Sequence, residues 1–557
     1  MFCRHSTLII VSVLAVAALG CENPFAQSSD ADLAWLVVED AVISPGFSPE
    51  VISYSATVSP QTAEVTVRAA TAHRDARIIS GVGRHGLAFG ENVIHVTVEA
   101  EDGTTRIYTV VIERLLEQAI ERTFRARTAT DGTWYDVPST LRGIASRVLV
   151  YVENTQSVSD SLAQQIAEEF EEAIYDMVEE NFGDVPDVDG NGKVILLLLD
   201  IIDGFTGSGG YVAGYFDPVH MFSKSTFAES NEADMLFMDV NPGVPGSQAF
   251  YRTAAHELQH LVNFGNTVMV DGRAQDLWIN EGLSAGAEYL YESSQVTSRI
   301  NYHNVDPLET IRLGNSFFVW NGYWEQVVGD TLANYSTVYL FFQWLQLHAS
   351  NGTGIYRDIL GSTHRDYRTV VDAASTRISS SLSSWEAVIS TWRHANIFNE
   401  SSGLRGYKGE IATTRWGFLN TGGLEWPTSP GEALLIQTSG GQYTYPGGSG
   451  SSIRYHGINT ATNTVDTTGP TYSGDSVLVF NANSNNSGAD EIAILPSTSS
   501  AESNELILAT NYQEVPLPAI YPVDVHFNAG HGFSPESTRY VDGENAVGDA
   551  IANRGRR

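Results

Sequence analysis

Residues 254–265 read "AAHELQHLVNFG" and set His256 and His260 four apart, with Glu257 beside the first. On a helix, positions i and i+4 stack on one face, so both imidazoles point at one place. Glu257 is turned about 100° around the helix, outside the pair but within reach of a water between them. Zinc accepts imidazole nitrogen, and a catalytic zinc takes three protein ligands and keeps one position open. His-Glu-x-x-His therefore supplies two ligands and a base in five residues. The plainer alternative is a core helix that happens to carry two histidines. Its flanks Ala254, Ala255, Leu258, Leu261 and Val262 are apolar, and bare imidazoles among them would be costly without partners. A metal ion is such a partner. Gly265 reads as the end of the helix.

A third ligand must come from elsewhere. "WINEGLSAGAEYL" (278–290) offers Glu281, with 20 residues between it and His260. That gap accommodates a loop and entry into a second, antiparallel helix. The competing reading of Glu281 is an acid favoured by the dipole near a helix N-terminus. In "DVDGNG", Asp187, Asp189 and Asn191 match the first half of a calcium loop. Leu198 stands where the twelfth-position glutamate belongs, so a tight acidic turn is the plainer reading and Ca2+ the secondary one. His526 and His531 in "HFNAGHG" form a pair with no third partner.

Several elements must position these groups. "SDSLAQQIAEEFEEAIYDMVEENFG" (159–183) has helical apolar spacing and a glycine stop. "KVILLLLDI" is apolar throughout, as in a strand buried on both faces. "ADMLFMDV" (233–240) is a second strand, expected to be an edge that holds substrate backbone. "STVYLFFQWLQLH" and "SSWEAVISTWRHANI" read as further helices. Earlier, "VISYSATV", "AEVTVRAA", "NVIHVTVEA" and "RIYTVVIER" alternate apolar and polar residues between turns, which predicts a small β-sandwich. After about 414, "EALLIQTSG", "SSIRYHGI" and "DSVLVFNAN" read as short strands of a C-terminal β-domain.

The chain has 557 residues, too many for one core. The expected order is a signal peptide (1–20), a linker (21–29), a β-sandwich (30–114), a connector (115–135), a catalytic domain (136–413), a β-domain (414–520) and a tail (521–557). A net charge of −35 repels nucleic acid and anionic membrane surfaces, so neither is an expected partner surface. Cys3 and Cys21 are the two cysteines, and both precede the folded part, which therefore has no disulfides. Arg4 and the apolar run 8–19 suit an export signal, and 12 apolar residues are too few for a helical span. "ALGC" resembles a bacterial lipoprotein signal. The resemblance implies cleavage before Cys21, a lipid on its sulfur and anchoring at the cell envelope; a plain secretory signal is the alternative.

Two further resemblances extend this reading. "LVVEDAVISPGFSPEVISYSATV" with "GENVIHVTVEAEDGTTRIYTVVIER" resembles the cadherin-like β-sandwich repeat of bacterial surface proteins, usually a spacer or binding unit. "HELQHLVNF" with "WINEGLSAGAEYLY", preceded by "DVDGNGKVILLLLDI", "GGYVAGYFDP" and "SNEADMLFMDVNP", resembles the hyicolysin-type bacterial metallopeptidases over roughly residues 136–413. These are gluzincins, the broad group that includes thermolysin. The resemblance implies zinc held by His256, His260 and Glu281, Glu257 as base, and hydrolysis of peptide bonds at a cleft between two subdomains. It also implies a tyrosine donor for the carbonyl oxygen, for which Tyr335 is taken, with Tyr339 one turn on. Thermolysin-like enzymes carry an acid four residues after the third ligand. Here that residue is Ala285, and Glu288 is either its substitute or a surface acid. No glycine-rich exopeptidase motif is apparent, which favours an endopeptidase.

The fold expected is thus multidomain α+β, with a β-sandwich, a thermolysin-like core and a β-rich end. The expected function is a zinc endopeptidase acting on extracellular proteins or peptides. The competing classes are a surface adhesion lipoprotein with a dead protease-like scaffold, and a zinc hydrolase acting on something other than peptides.

Overall fold

The computed structural model describes residues 27–39, 41–59, 62–87, 90–114, 121–207, 211–306, 311, 314–320, 328–413, 425–438, 442–444, 451–485, 491–495 and 524–525. The export segment, Cys21, His526 and His531 lie outside the described residues. Among those described, no helix is long and apolar enough to cross a membrane. The chain divides into two compact units, Met1–Glu117 and Gln118–Arg557.

The first unit is a β-sandwich. Leu33–Val38, Glu64–Thr71 and Gly83–Gly86 form one sheet; Ser53–Val58, Thr105–Arg114, Gly90–Glu99 and Arg77–Ser80 form the other. The period-two pattern sends Tyr54, Val96, Val98, Tyr108, Val110 and Ile112 inward, where they are buried. The buried tyrosines satisfy their hydroxyls locally. Tyr54 donates to the carbonyl of Ser48 at 2.7 Å, and Tyr108 to that of Pro49 at 2.9 Å.

The second unit is built on a six-stranded mixed sheet. Its order is Gly214–Tyr215, Met235–Asp239, Val194–Leu199, Val148–Glu153, Trp134–Ile144 and Glu121–Arg127. The Val194 strand pairs in parallel with both neighbours, and all six of its residues are buried. That is the continuous apolar run of a two-sided strand. A helical crossover joins the Val148 and Val194 strands: Asp160–Glu169, a π-turn Phe170–Tyr175, then Asp176–Phe182. Ser159 caps it through the Leu162 amide, and Gly183, at φ 145°, ends it. The outer strand Glu121–Arg127 begins inside the stretch read as a connector. Met235–Asp239 is not the expected edge strand, because Gly214–Tyr215 pairs with it at Met238 and Phe237.

Against the sheet lies the motif helix, Gln248–Asn266, capped by Ser247. It runs through Gly265, which therefore does not end it. A Cβ there would come within 2.7 Å of Pro186, so the glycine serves close packing instead. The glutamate helix, Leu277–Glu292, packs antiparallel to it, and the tyrosine helix, Val328–His348, packs on the far side. Gly282 allows that approach: a Cβ on it would sit 2.1 Å from Phe342. Trp385–Phe398 completes the helical layer.

The C-terminal strands Ala433–Gln437, Ser476–Asn481, Ile453–Asn459 and Thr464–Asp466 form a further sheet in that order. They share the helices' core through Ala433, Leu435, Ile458, Leu478 and Phe480. Arg393 of the Trp385 helix donates to the Gly431 carbonyl at 2.6 Å, and His394 meets His456 at 3.1 Å. The helical region and this four-stranded sheet are therefore packed on one shared core.

Candidate metal centre

The motif helix and the glutamate helix face each other along a ladder of polar pairs. Arg252 meets Glu292, His256 meets Glu288 and His260 meets Asn280, while Asn263 meets Gln275 just before the second helix begins. Residue numbers rise on one helix as they fall on the other, as an antiparallel pair requires. At the ladder's centre three ligand atoms converge. His256 Nε2 lies 3.1 Å from His260 Nε2, and Glu281 Oε2 lies 3.3 and 3.4 Å from them respectively. All three side chains are buried.

The opposite edge of each imidazole is already engaged. His256 Nδ1 is 2.8 Å from Glu288 Oε1, and an ionised carboxylate only accepts, so Nδ1 carries the proton. His260 Nδ1 faces Asn280 Oδ1 at 3.0 Å and Ser284 Oγ at 3.1 Å, while Ser284 donates to Gln259 at 2.5 Å. Both rings thereby aim Nε2 at the Glu281 carboxylate. Three electron-pair donors this close repel one another unless a proton or a metal cation sits among them. Zinc at about 2.0–2.1 Å from tetrahedral ligands sets them about 3.3 Å apart. The observed separations of 3.1–3.4 Å match that spacing. Two imidazoles and one carboxylate are also a donor set that zinc accepts.

The titration behaviour reflects the same crowding. Burial pushes the His256 pKa down, but hydrogen bonds to Glu281 and Glu288 outweigh it and raise the value to about 9. Burial pushes Glu281 up, yet His260 and His256 hold it down at about 2. Glu257 is fully buried and faces the cluster. Burial raises it to about 7 against the pull of both histidines and of the nearby Phe216 backbone.

Tyr335 is fully buried, its ring centroid 6.3 Å from that of His256. Trp320 packs edge-on against it at 5.0 Å, and the Arg299 guanidinium lies over its face at 4.9 Å. Tyr339 turns elsewhere: its hydroxyl donates to Gln295 at 2.8 Å. Glu288 is not a surface acid. It is buried, bonded to His256, and met by Arg299 Nη2 at 2.8 Å and Arg252 Nε at 3.7 Å.

Sequence reasoning missed Asn280, Ser284, Arg252 and Arg299. A signal existed for the first two. Asn280, Glu281, Ser284, Glu288 and Glu292 form one polar stripe at helical spacing on an otherwise apolar helix.

Residues 33–115 match the cadherin-like beta sandwich domain. The chain is 32% identical over 260 residues to the Neutral metalloprotease ShpI of Staphylococcus hyicus. It joins a cadherin-like domain to a metalloprotease-like region. The match takes in 45% of this chain and 57% of that relative, so the chain spans little more than half of the metalloprotease's length. The chain is similar to a metalloprotease, and its His-His-Glu cluster could hold a metal ion.

Proposed function

We propose that this chain is a zinc-dependent endopeptidase whose metal is held by His256, His260 and Glu281. The triangle of His256 Nε2, His260 Nε2 and Glu281 Oε2 is the observation that carries the reading. Bound there, zinc supplies a Lewis acid for the scissile carbonyl and lowers the pKa of a water toward about 7. The chain's own groups do the rest. Glu288 fixes His256, and Asn280 with Ser284 fixes His260, each through Nδ1, so that neither ring rotates out of register. Glu257 takes the proton from the attacking water and delivers it to the departing amine. Its buried setting, with a pKa near 7, suits a group that must both accept and release a proton. Tyr335 donates to the carbonyl oxygen as negative charge builds there.

Tyr335→Phe removes that donor with little change of shape. It is expected to lower kcat by about 10²-fold with KM nearly unchanged. Unchanged kcat would assign the donor role to another group.

The substrate is read as extracellular protein or peptide. Residues 1–20 are read as the export signal and Cys21 as the lipid-bearing residue, placing the enzyme at the cell envelope. Intact-mass analysis of membrane-extracted protein tests this, since a diacylated Cys21 start is the expected species. The cadherin-like domain supports a second reading, an adhesion protein with an inert scaffold. Casein hydrolysis separates the two. The zinc-loaded chain is expected to cleave casein, to stop when a chelator strips the metal, and to resume when zinc returns. No cleavage by a chain carrying one zinc would favour adhesion.

A further inference from the structure

A second group of oxygens converges outside the histidine cluster and has no part in the chemistry above. Asp187 and Asp189 stand in the exposed turn before the Val194 strand. Asp234 stands at the start of the parallel neighbour, Met235–Asp239. Each offers a carboxylate oxygen within 4.8 Å of the others. Asp234 is 1% exposed. Its Oδ2 accepts from the Val188 amide at 2.7 Å, but Oδ1, also buried, has no hydrogen-bond partner among the described residues. A buried carboxylate oxygen left so, beside two more acids, is costly unless a cation meets it.

The nearby basic groups do not meet it. Lys193 sends its ammonium to the carbonyls of Ala145, at 2.7 Å, and Ser146. Arg122, whose charge reaches Asp189, donates to the Asn231 carbonyl at 2.7 Å. Burial and the charges of Asp189 and Asp187 together push Asp234 up to about 7, against the pull of the Val188 amide.

We propose that Asp187, Asp189 and Asp234 bind a calcium ion, which ties the turn at 187–192 to the head of the Met235 strand. All-oxygen ligation selects a hard cation. Calcium, with ligands at about 2.3–2.6 Å and a flexible shell, suits two exposed carboxylates whose remaining positions water can fill. Sequence spacing alone pairs Asp187 and Asp189 with Asn191 and lacks the closing acid. The fold supplies it from a different strand. The same loop abuts the end of the motif helix, since Asn266 Nδ2 donates to the Asp184 carbonyl at 2.8 Å and Pro186 packs on Gly265. An ion here braces the helix that carries both histidines without touching the histidine cluster.

The test is calorimetric titration of calcium chloride into the full-length, zinc-loaded chain, with the unfolding midpoint measured with and without calcium. One calcium per chain is expected, with a midpoint rise of at least about 3 °C at saturating ion. Asp234→Asn keeps the Val188 contact and removes the charge. It is expected to match or exceed the wild-type midpoint without calcium and to gain nothing with it. Asp187→Asn combined with Asp189→Asn, both exposed, is expected to lose the calcium heat while keeping its zinc content and casein cleavage. Calcium heat undiminished in either variant overturns the proposal, as does an equal response to magnesium. Because zinc content and cleavage are read separately, a failure of the peptidase reading leaves this result intact.

Discussion

Glu257→Gln is expected to lower kcat for casein by about 10³–10⁴-fold while the protein still binds one zinc. The amide keeps the size and shape of the carboxylate, so packing in the buried pocket is preserved. What is lost is the basic site that accepts the water's proton and returns it to the leaving nitrogen. The three groups taken as metal ligands are His256, His260 and Glu281, and none of them is altered. Metal content by mass spectrometry and single-turnover cleavage of a peptide therefore separate the roles. Loss of zinc along with activity would make Glu257 a structural or ligating group, and the proposed division of labour would fall. A variant retaining a tenth or more of wild-type kcat would mean that some other group moves the proton. Removing the Glu257 carboxyl also removes a titration near neutrality, since burial holds it at about 7. Any residual activity should for that reason lose the limb of the pH profile due to this group.

The local elements were legible because their patterns are local. Alternation marked the strands of the sandwich, and the unbroken run Val194–Leu199 marked a strand covered on both faces. Ser159 and Gly183 bracketed the crossover helix. His256 and His260 could be paired from spacing because helix geometry alone brings them together. The partners that arrive from other elements were not legible. In the sequence Glu288 stands between two readings, because seven residues of spacing do not say which helix it faces. Only the antiparallel packing puts it on His256. Arg299 comes from a separate helix, Thr297–Val305, whose register against Glu288 has no signature in the chain. Asp234 escaped for the same reason, as its proximity to Asp187 and Asp189 depends on parallel strand pairing. Gly265 misled because a glycine near a helix end reads as a stop, whereas here close contact with Pro186 requires it.

Glu288→Leu is expected to weaken zinc binding by about 10–100-fold and to destabilise the second unit by about 3–5 kcal/mol, two effects with separate causes. The first arises because Glu288 accepts the His256 Nδ1 proton at 2.8 Å, fixing both the tautomer and the plane of the ring. Without it the imidazole is free to rotate, and its Nε2 lone pair no longer points reliably at the other two ligands. The second arises from the cations. Burial disfavours the charge on Arg299, and the Glu288 carboxylate outweighs that penalty. A leucine takes away the anion facing Arg299 and leaves Arg252 with Glu292. Glu288→Gln divides the two effects: its amide oxygen still accepts from His256, but it no longer neutralises Arg299. The glutamine variant should accordingly lose most of the stability while giving up less zinc affinity than the leucine variant. Urea unfolding of the zinc-free proteins and competition with a chromogenic chelator supply the two readouts. Equal zinc affinity in wild type and Glu288→Leu would show that packing alone holds His256. Arg299 also lies over the Tyr335 ring, so the same carboxylate positions His256 and, one contact further on, the proposed oxyanion donor. Glu288→Leu should therefore lower kcat even at saturating zinc, a loss that metal affinity cannot explain.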